Sequence, residues 1–345
     1  MSDKKRLKYI DALRGFTMCL VVFNHIENMS LGIVEDSLIS NLFMTFRMPM
    51  FFFISGYLAY KSMEWWNGKN YVSRLLTKAK VQIIPTIIFL IIACISIYKS
   101  LFPQCLYDGC LAGYWFTVSL FQMFIVYFSI SYISNKLKLN VLTDIVLISL
   151  ALVSIFIFSY TDGNNEIWLL LCGQNSCRFF QFFVAGVLMH KYKFKVERYF
   201  DNQRLFTLAF ICFIVCFILI WHSYFYDVIG NTVVLAIKGI IIKWIAVYLV
   251  FSLFYRNKGC FEVDNKYNTV IQFVGKRTLD IYLIHYFLLP DLKCIAPFLS
   301  NNSNIVIEFT VCVVMTILIV ALCLGISACL RQSKFLGHYL FGAKY

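Results

Sequence analysis

Long apolar stretches, separated by short polar segments, recur along the whole chain. A stretch of about twenty apolar residues is long enough to cross the hydrocarbon core of a bilayer as an α-helix. Ten such stretches can be counted, of which the sixth and the ninth are short: residues 9–26, 38–60, 81–98, 114–133, 141–160, 176–190, 205–222, 230–255, 278–290 and 304–330. The pattern predicts an all-α integral membrane protein of about ten transmembrane helices, with a single membrane domain over residues 1–345.

The distribution of charge supports this count. Hydrophobic residues make up 60% of the chain and charged residues 14%, yet the net charge is +13. Most lysines and arginines fall in every second loop and at both termini, as expected of cytoplasmic segments. The opposite loops are mainly acidic and include Glu27 and Asp227. The alternation predicts that both termini are cytoplasmic, and it explains the net charge without a nucleic-acid partner.

Three ionisable residues, Asp11, Arg14 and His25, lie at the start of the chain within the first predicted span. Eleven residues separate Arg14 from His25, so at about 100° per residue both side chains face the same way, about 16 Å apart along the helix axis. Asp11 precedes Arg14 by three residues, within pairing distance on a helix. We call Asp11, Arg14 and His25, on this one helix face, the stripe. Because ionisable groups inside membrane spans are usually functional, the stripe is the first candidate site.

Other basic residues inside predicted spans are costly unless they are paired or hydrated. They are Arg47, Arg178, Lys238 and Lys243. A purely structural interpretation makes them membrane anchors or ion-pair partners of acidic residues in the spans. Those acidic residues are Asp11, Asp144, Asp280 and Glu308.

Two histidines, His25 and His285, lie deeper in predicted spans than the other three. A neutral imidazole can take a proton from a hydroxyl at physiological pH, so either could act as a general base. Neither Asn24 nor Glu27 shares the helix face of His25, and an orienting partner for this ring must therefore come from another helix. His285 could equally be a residue of the core.

The 13 cysteines predict no metal site, because none forms a C-x-x-C pair and no Cys/His cluster has zinc spacing. Disulfides remain possible within two outer segments, between Cys105 and Cys110 and between Cys172 and Cys177. The residues 222–227 fit the H-x-x-x-x-D pattern of glycerolipid phosphate acyltransferases. They lie at an outer boundary, away from cytoplasmic phosphate substrates, and we attribute this match to chance.

The spacing of Arg14 and His25 resembles the R-x10-H signature of the membrane acyltransferase 3 family, integral-membrane O-acyltransferases that modify surface glycans and lipids. Further similar pieces follow in order: Met48-Pro-Met-Phe-Phe-Phe-Ile-Ser-Gly-Tyr57, Tyr114-Trp-Phe, Arg178-Phe-Phe-Gln-Phe-Phe-Val-Ala-Gly186 and Gly275-Lys-Arg-Thr-Leu-Asp-Ile-Tyr-Leu-Ile-His285. The resemblance implies transfer of an acyl group, usually acetyl, from cytoplasmic acyl-CoA to a hydroxyl of a cell-surface or lipid-linked saccharide. It implies no bound cofactor, since acyl-CoA is a substrate.

The resemblance also assigns roles along the first helix. His25 would be the base that deprotonates the acceptor hydroxyl, or else an acyl carrier, and the sequence leaves both open. Arg14 would meet the phosphates or the pantetheine arm of the donor, and Asp11 would hold Arg14 in place.

On the acceptor side, Arg47 and Arg178 are candidates to stabilise the developing oxyanion or to bind an acidic acceptor, although structural pairing is an alternative. His285 is a further candidate there. Trp115 would stack on a sugar or belong to the aromatic belt at the membrane interface.

The chain departs from the family pattern at the entry to the third predicted helix. Some members carry an R-x-x-R pair where this chain has Arg74-Leu-Leu-Thr-Lys78. The positive charge is present here, but the second basic residue is a lysine, which cannot bind a phosphate through two parallel N–H groups. Arg74 and Lys78 are therefore candidates for donor binding without an assigned phosphate contact.

Two other functions fit a protein of this kind. A transporter or flippase of a glycan or glycolipid would also need buried charges along a substrate pathway, although no inverted repeat is found. A membrane sensor would use the charges for structure alone. We expect a multi-pass protein of a cell membrane, the inner membrane of a bacterium.

Overall fold

The computed structural model describes residues 6–32, 37–62, 65–98, 111–160, 166–221, 232–295 and 305–343. Within these ranges the chain is helical and has no strand, which confirms the all-α prediction. The helices are α1 Lys8–His25, α2 Leu38–Met44, α3 Arg47–Ala59, α4 Gly68–Lys78, α5 Ile84–Ala93, α6 Trp115–Lys136, α7 Asn140–Tyr160, α8 Glu166–Leu170, α9 Gly173–Lys191, α10 Lys193–Asp201, α11 Gln203–Trp221, α12 Thr232–Arg256, α13 Lys266–Lys276, α14 Thr278–Ile284, α15 Ile305–Leu330 and α16 Lys334–Phe341. Short π-helical and 3₁₀ segments extend several of them.

Six helical stretches in the described ranges are long and apolar enough to cross a membrane. They are Leu38–Ala59, Gly68–Ile97, Trp115–Lys136, Val141–Tyr160, Gly239–Arg256 and Ile305–Leu330. A seventh candidate joins α10 to α11 across a bend of 70°. Each of the ten predicted stretches overlaps a described helix, but the count of ten spans is not confirmed. The protein is thus a multi-pass membrane protein.

The described chain divides into two compact units, and the first comprises Met1–Phe51 and Lys193–Gly325. One part of its core joins α1, α11, α12 and the turn between α2 and α3 through apolar side chains. These are Leu20, Phe46, Phe213, Ile242, Ala246 and Leu249. Since each is at most 9% exposed, burial of their apolar surface stabilises the position of α1 in this unit.

Two glycines allow α1 and α13 to pack with their backbones in contact. A Cβ atom on Gly275 would lie 1.8 Å from the carbonyl oxygen of Asp11, and one on Gly15 would lie 2.1 Å from that of Ile271. Only a hydrogen atom fits at either position. Because α14 follows α13 almost directly, this contact places α14 beside the first half of α1.

The second unit comprises Phe52–Tyr192 and Ile326–Tyr345. Within it the C-terminal part of α3 packs on α9 through Gly56 and Gly186, where an added Cβ would lie 1.9 Å from a carbonyl oxygen of the other helix. Large aromatic side chains fill its interior, including Trp66 and Phe183. Lys191 and Asp144 form a partly buried ion pair at 2.6 Å.

The prediction that Glu27 lies in an outer loop is wrong. The helix continues beyond His25 as a π-helical segment, Ile26–Leu31, and Glu27 is fully buried within it. The apolar pattern could not indicate this, because a wider helical turn carries a polar residue into the interior without any change in composition.

The structure describes only one of the two cysteine pairs for which a disulfide is possible. Cys105 and Cys110 lie outside the described residues, as does the H-x-x-x-x-D segment, residues 222–227. Cys172 and Cys177 are both free thiols, so no disulfide joins them.

Candidate active site

The predicted stripe lies on one uninterrupted helix. α1 holds Asp11 and Arg14 in its first half and ends at His25, so the regular rise keeps Arg14 and His25 about 16 Å apart on one face. Asp11 is 5% exposed and His25 is partly buried. The two ends of the stripe have different surroundings.

At one end of the stripe, the Arg14 side chain is held by a hydrogen bond to α14. The close packing of α1 and α13 brings Thr278 to Arg14, whose Nη2 donates a hydrogen bond to Thr278 Oγ1 at 2.8 Å. The Asp11 carboxylate accepts hydrogen bonds from Arg6, and it interacts with Arg14 electrostatically. Arg14 therefore keeps guanidinium donors that no carboxylate neutralises within 4 Å in the described ranges.

The start of α1 is also tied to the segment before α13. Lys8 Nζ donates to Oδ1 of Asp264 at 2.8 Å and to the backbone oxygen of Glu262 at 3.2 Å. The hydrogen bond from the Lys8 ammonium lowers the pKa of the Asp264 carboxyl. This exposed ion pair contributes little to stability, but it adds a second link between the two elements that position Arg14.

At the other end, His25 meets a tyrosine. Nε2 of His25 and the hydroxyl of Tyr286 are hydrogen-bonded at 3.2 Å, and Tyr286 belongs to the 3₁₀ turn His285–Leu288 that follows α14. The structure thus provides the predicted orienting partner from another element. Nδ1 of His25 is buried and has no hydrogen-bond partner among the described residues.

A second imidazole lies beside the first. The ring centroids of His25 and His285 are 5.1 Å apart, and His285 is fully buried. Nδ1 of His285 donates to the backbone oxygen of Ile281 at 3.0 Å. Its Nε2 is buried without a partner in the part of the chain that the structure describes.

Arg47 and Glu27 complete the surroundings of His25. Arg47 begins α3 and interacts electrostatically with His25, Glu27 and Tyr286, and its Nη1 is buried without a described hydrogen-bond partner. Glu27 Oε1 accepts a hydrogen bond from Ser37 Oγ at 3.1 Å, while its Oε2 has no partner in the described ranges. Two imidazoles, a phenol, a guanidinium and a carboxylate therefore surround one end of α1.

Sequence reasoning missed Glu27 and Tyr286 as members of this group. Tyr286 directly follows the candidate His285, and this adjacency is the one signal that could have found it. The loop charge pattern predicts an outer loop at Glu27, so its burial cannot be inferred from the sequence.

The remaining candidates, Arg74, Lys78, Trp115 and Arg178, belong to the second unit. Each contacts an aromatic ring there. Arg74 lies 5.3 Å from the centroid of Trp65, Lys78 Nζ lies 3.8 Å above Phe124, and Arg178 lies 5.4 Å from Phe179. Trp115 stacks on Phe179 at 5.7 Å and on Phe52 at 6.2 Å.

Ion pairs were one expectation for the basic and acidic residues inside the spans. Three of the acidic residues pair with other cations: Asp11 with Arg6, Asp144 with Lys191 and Asp280 with Arg277. Glu308 has a buried carboxylate oxygen that no described residue contacts by a hydrogen bond. Lys243 donates to the Gly239 carbonyl at 3.1 Å, and the side chain of Lys238 lies outside the described part.

Among the described residues no group of three or more histidine, cysteine or acidic side chains could hold a metal ion.

Comparison with known proteins gives one result. The family model of an acyltransferase domain, that of acyltransferase 3, matches residues 7–327. The searches of curated proteins and of solved structures found no match. Because the matched region covers nearly the whole chain, the chain belongs to the acyltransferase 3 family.

Proposed function

We propose that this membrane acyltransferase moves an acyl group, acetyl in the simplest case, from cytoplasmic acyl-CoA to a hydroxyl of a cell-surface or lipid-linked saccharide. One observation carries the proposal: His25 is hydrogen-bonded through Nε2 and retains an unpartnered Nδ1 on the helix face that it shares with Arg14. We further propose ten spans with both termini cytoplasmic, in a cell membrane such as the inner membrane of a bacterium.

His25 acts as the general base. The hydrogen bond between Nε2 and the Tyr286 hydroxyl fits either neutral tautomer of His25. The proposed mechanism uses the tautomer in which Nε2–H donates to the Tyr286 oxygen and the lone pair on Nδ1 faces the acceptor hydroxyl. Nδ1 takes the hydroxyl proton while the oxygen attacks the thioester carbonyl carbon. The carbon–sulfur bond then breaks, and the CoA thiolate leaves and finally receives the proton. A fixed base of this kind supplies about 10² to 10⁴ in rate.

Arg47 stabilises the negative charge that develops on the carbonyl oxygen. Its buried Nη1 lacks a partner in the described ranges, and its charge acts on His25, so a donor is available where the chemistry takes place. The same guanidinium would suit an acidic acceptor. Arg178, which contacts aromatic rings in the second unit, remains a second candidate for this role.

Arg14 binds the donor. Thr278 fixes one end of the guanidinium, and the remaining N–H groups suit phosphate or pantetheine oxygens. Arg74 and Lys78 add positive charge for the same ligand. Trp115 is the candidate for stacking on the sugar, although its contacts with Phe52 and Phe179 are those of a packing residue.

Membranes that contain the chain, supplied with labelled acetyl-CoA, test the proposal. We expect label to enter the saccharide fraction only when both the chain and an acceptor are present, and His25→Ala to abolish it. His338→Ala is the matched control, since His338 is exposed on α16 and its ring bonds the Ala343 carbonyl.

Normal glycan acylation in cells that carry only His25→Ala would overturn the proposed mechanism. Reduced glycan export with acylation intact would instead favour a transporter or flippase.

A further inference from the structure

The hydrogen bonds of His285 fix which of its nitrogens carries a proton. The Ile281 carbonyl can only accept, so Nδ1 of His285, 3.0 Å away, is the nitrogen that bears hydrogen. A fully buried imidazole stays neutral unless an anion pairs with it, and no carboxylate in the described ranges lies within 4.0 Å of His285. Nε2 therefore presents a lone pair.

This tautomer conflicts with one expected role of His285. An oxyanion is stabilised by hydrogen-bond donors, and a neutral His285 has already committed its one N–H to the backbone of α14. Its remaining nitrogen, Nε2, is an acceptor, so its hydrogen-bond partner must be a donor. Saccharides carry many hydroxyl groups, and each can donate such a hydrogen bond.

The position of His285 indicates which hydroxyl that is. Its ring centroid lies 5.1 Å from that of His25, whose Nδ1 is the proposed base and is likewise buried without a described partner. Each nitrogen can accept a hydroxyl over about 2.7–3.0 Å. Two acceptors on rings whose centroids are 5.1 Å apart thus suit two hydroxyls on neighbouring carbons.

We propose that His285 Nε2 accepts a hydrogen bond from the hydroxyl next to the one that is acylated, and that the site thereby selects acceptors with two neighbouring hydroxyls. The inference rests on the proposed function, because it takes His25 as the base for the first hydroxyl. His285 is then a specificity-determining residue, and no proton leaves the second hydroxyl.

Two small alcohols test the selection by competition in the labelled acetyl-CoA assay, with the full chain in membranes. The probes are trans-1,2-cyclohexanediol and cyclohexanol, which differ by one hydroxyl. In the wild-type protein we expect the diol to inhibit label transfer at a concentration about tenfold lower than cyclohexanol, because it completes one more buried hydrogen bond.

Two variants assign this preference to Nε2. In His285→Asn the side-chain amide still reaches the Ile281 carbonyl but places nothing where Nε2 was, so the two probes should inhibit equally. In His285→Gln the longer side chain can place its amide oxygen at the position of Nε2, so most of the preference should return. Retained preference in His285→Gln also shows that a change at this position leaves the fold intact.

Equal inhibition by the two probes in the wild-type protein, including no inhibition by either, would overturn the inference. A diol preference that is unchanged in His285→Asn would also overturn it. Absence of label transfer before any probe is added is a separate result, since that would contradict the proposed function instead.

Discussion

His25 differs from two other histidines in what its Nδ1 contacts. In His190 and in His338 this nitrogen bonds a backbone carbonyl, that of Tyr57 and that of Ala343 respectively. In His25 it has no partner among the described residues, while Nε2 bonds Tyr286. In the proposed mechanism this difference suits His25 to the role of base, and Tyr286 is proposed as its positioning residue.

Tyr286→Phe should lower kcat for acetyl transfer by about tenfold to a hundredfold, because the ring of His25 loses the contact that sets its tautomer and orientation. KM for acetyl-CoA should change little. Steady-state kinetics in membranes measure both constants.

Tyr248→Phe is the control for that experiment, since it also removes a tyrosine hydrogen bond, to the carbonyl of Tyr199, elsewhere in the first unit. Equal effects of the two substitutions would contradict a positioning role for Tyr286.

Arg14→Lys should raise KM for acetyl-CoA by about tenfold while kcat changes less, because lysine cannot both bond Thr278 and offer a planar fork to phosphate. Arg198→Lys, on the exposed side of α10, is the matched control. If KM is the same in both variants, Arg14 does not bind the donor.

The sequence predicts the stripe but not all of its surroundings. Helical periodicity alone places Arg14 and His25 on one face, and the structure has both on α1. Tyr286 could not be paired with His25 in advance, because 261 positions separate them and no local pattern encodes that contact. The hydrogen bond between Arg6 and Asp11 could not be predicted either, because Arg6 lies before the helix, where helical spacing rules do not apply.

At the scale of elements, the packing of α1 on α13 determines whether Arg14 meets Thr278. Gly275→Ala should destabilise the protein by about 1–3 kcal/mol and lower its unfolding temperature, because the added methyl group would lie 1.8 Å from the Asp11 carbonyl oxygen. Thermal unfolding of the detergent-solubilised protein measures the change.

Gly325→Ala provides the comparison for that substitution, since nothing lies within 4 Å of its added Cβ on α15. An unfolding temperature unchanged by Gly275→Ala would show that α1 and α13 do not pack this closely.

Apolar stretches predict where most helices lie, since each of the ten overlaps a described helix. They do not predict the five short helices outside these stretches, α4, α8, α10, α13 and α16. One of them, α10, is amphipathic and basic. Nor do they predict the π-helical segment after α1, where Glu27 turns inward. Both misses have the same physical reason: the positions of polar side chains depend on backbone geometry that hydropathy does not report.

At the scale of the whole molecule, loop charge predicts orientation. A reporter that is active only in the cytoplasm should be active when fused after residue 136 or at the C-terminus, and inactive when fused within residues 161–165. The reason is that lysines and arginines are concentrated near residue 136 and near the C-terminus. Activity at all three sites would contradict the proposed topology.

Family membership establishes an acyltransferase, and the central claim that remains is the role of His25. The most direct test is the rate of acetyl transfer by His25→Gln at matched protein level, because glutamine can still donate to Tyr286 but cannot take a proton. We predict a rate about 10² to 10⁴ times below that of the wild-type protein. A rate within tenfold of wild type would contradict the assignment of His25 as the base.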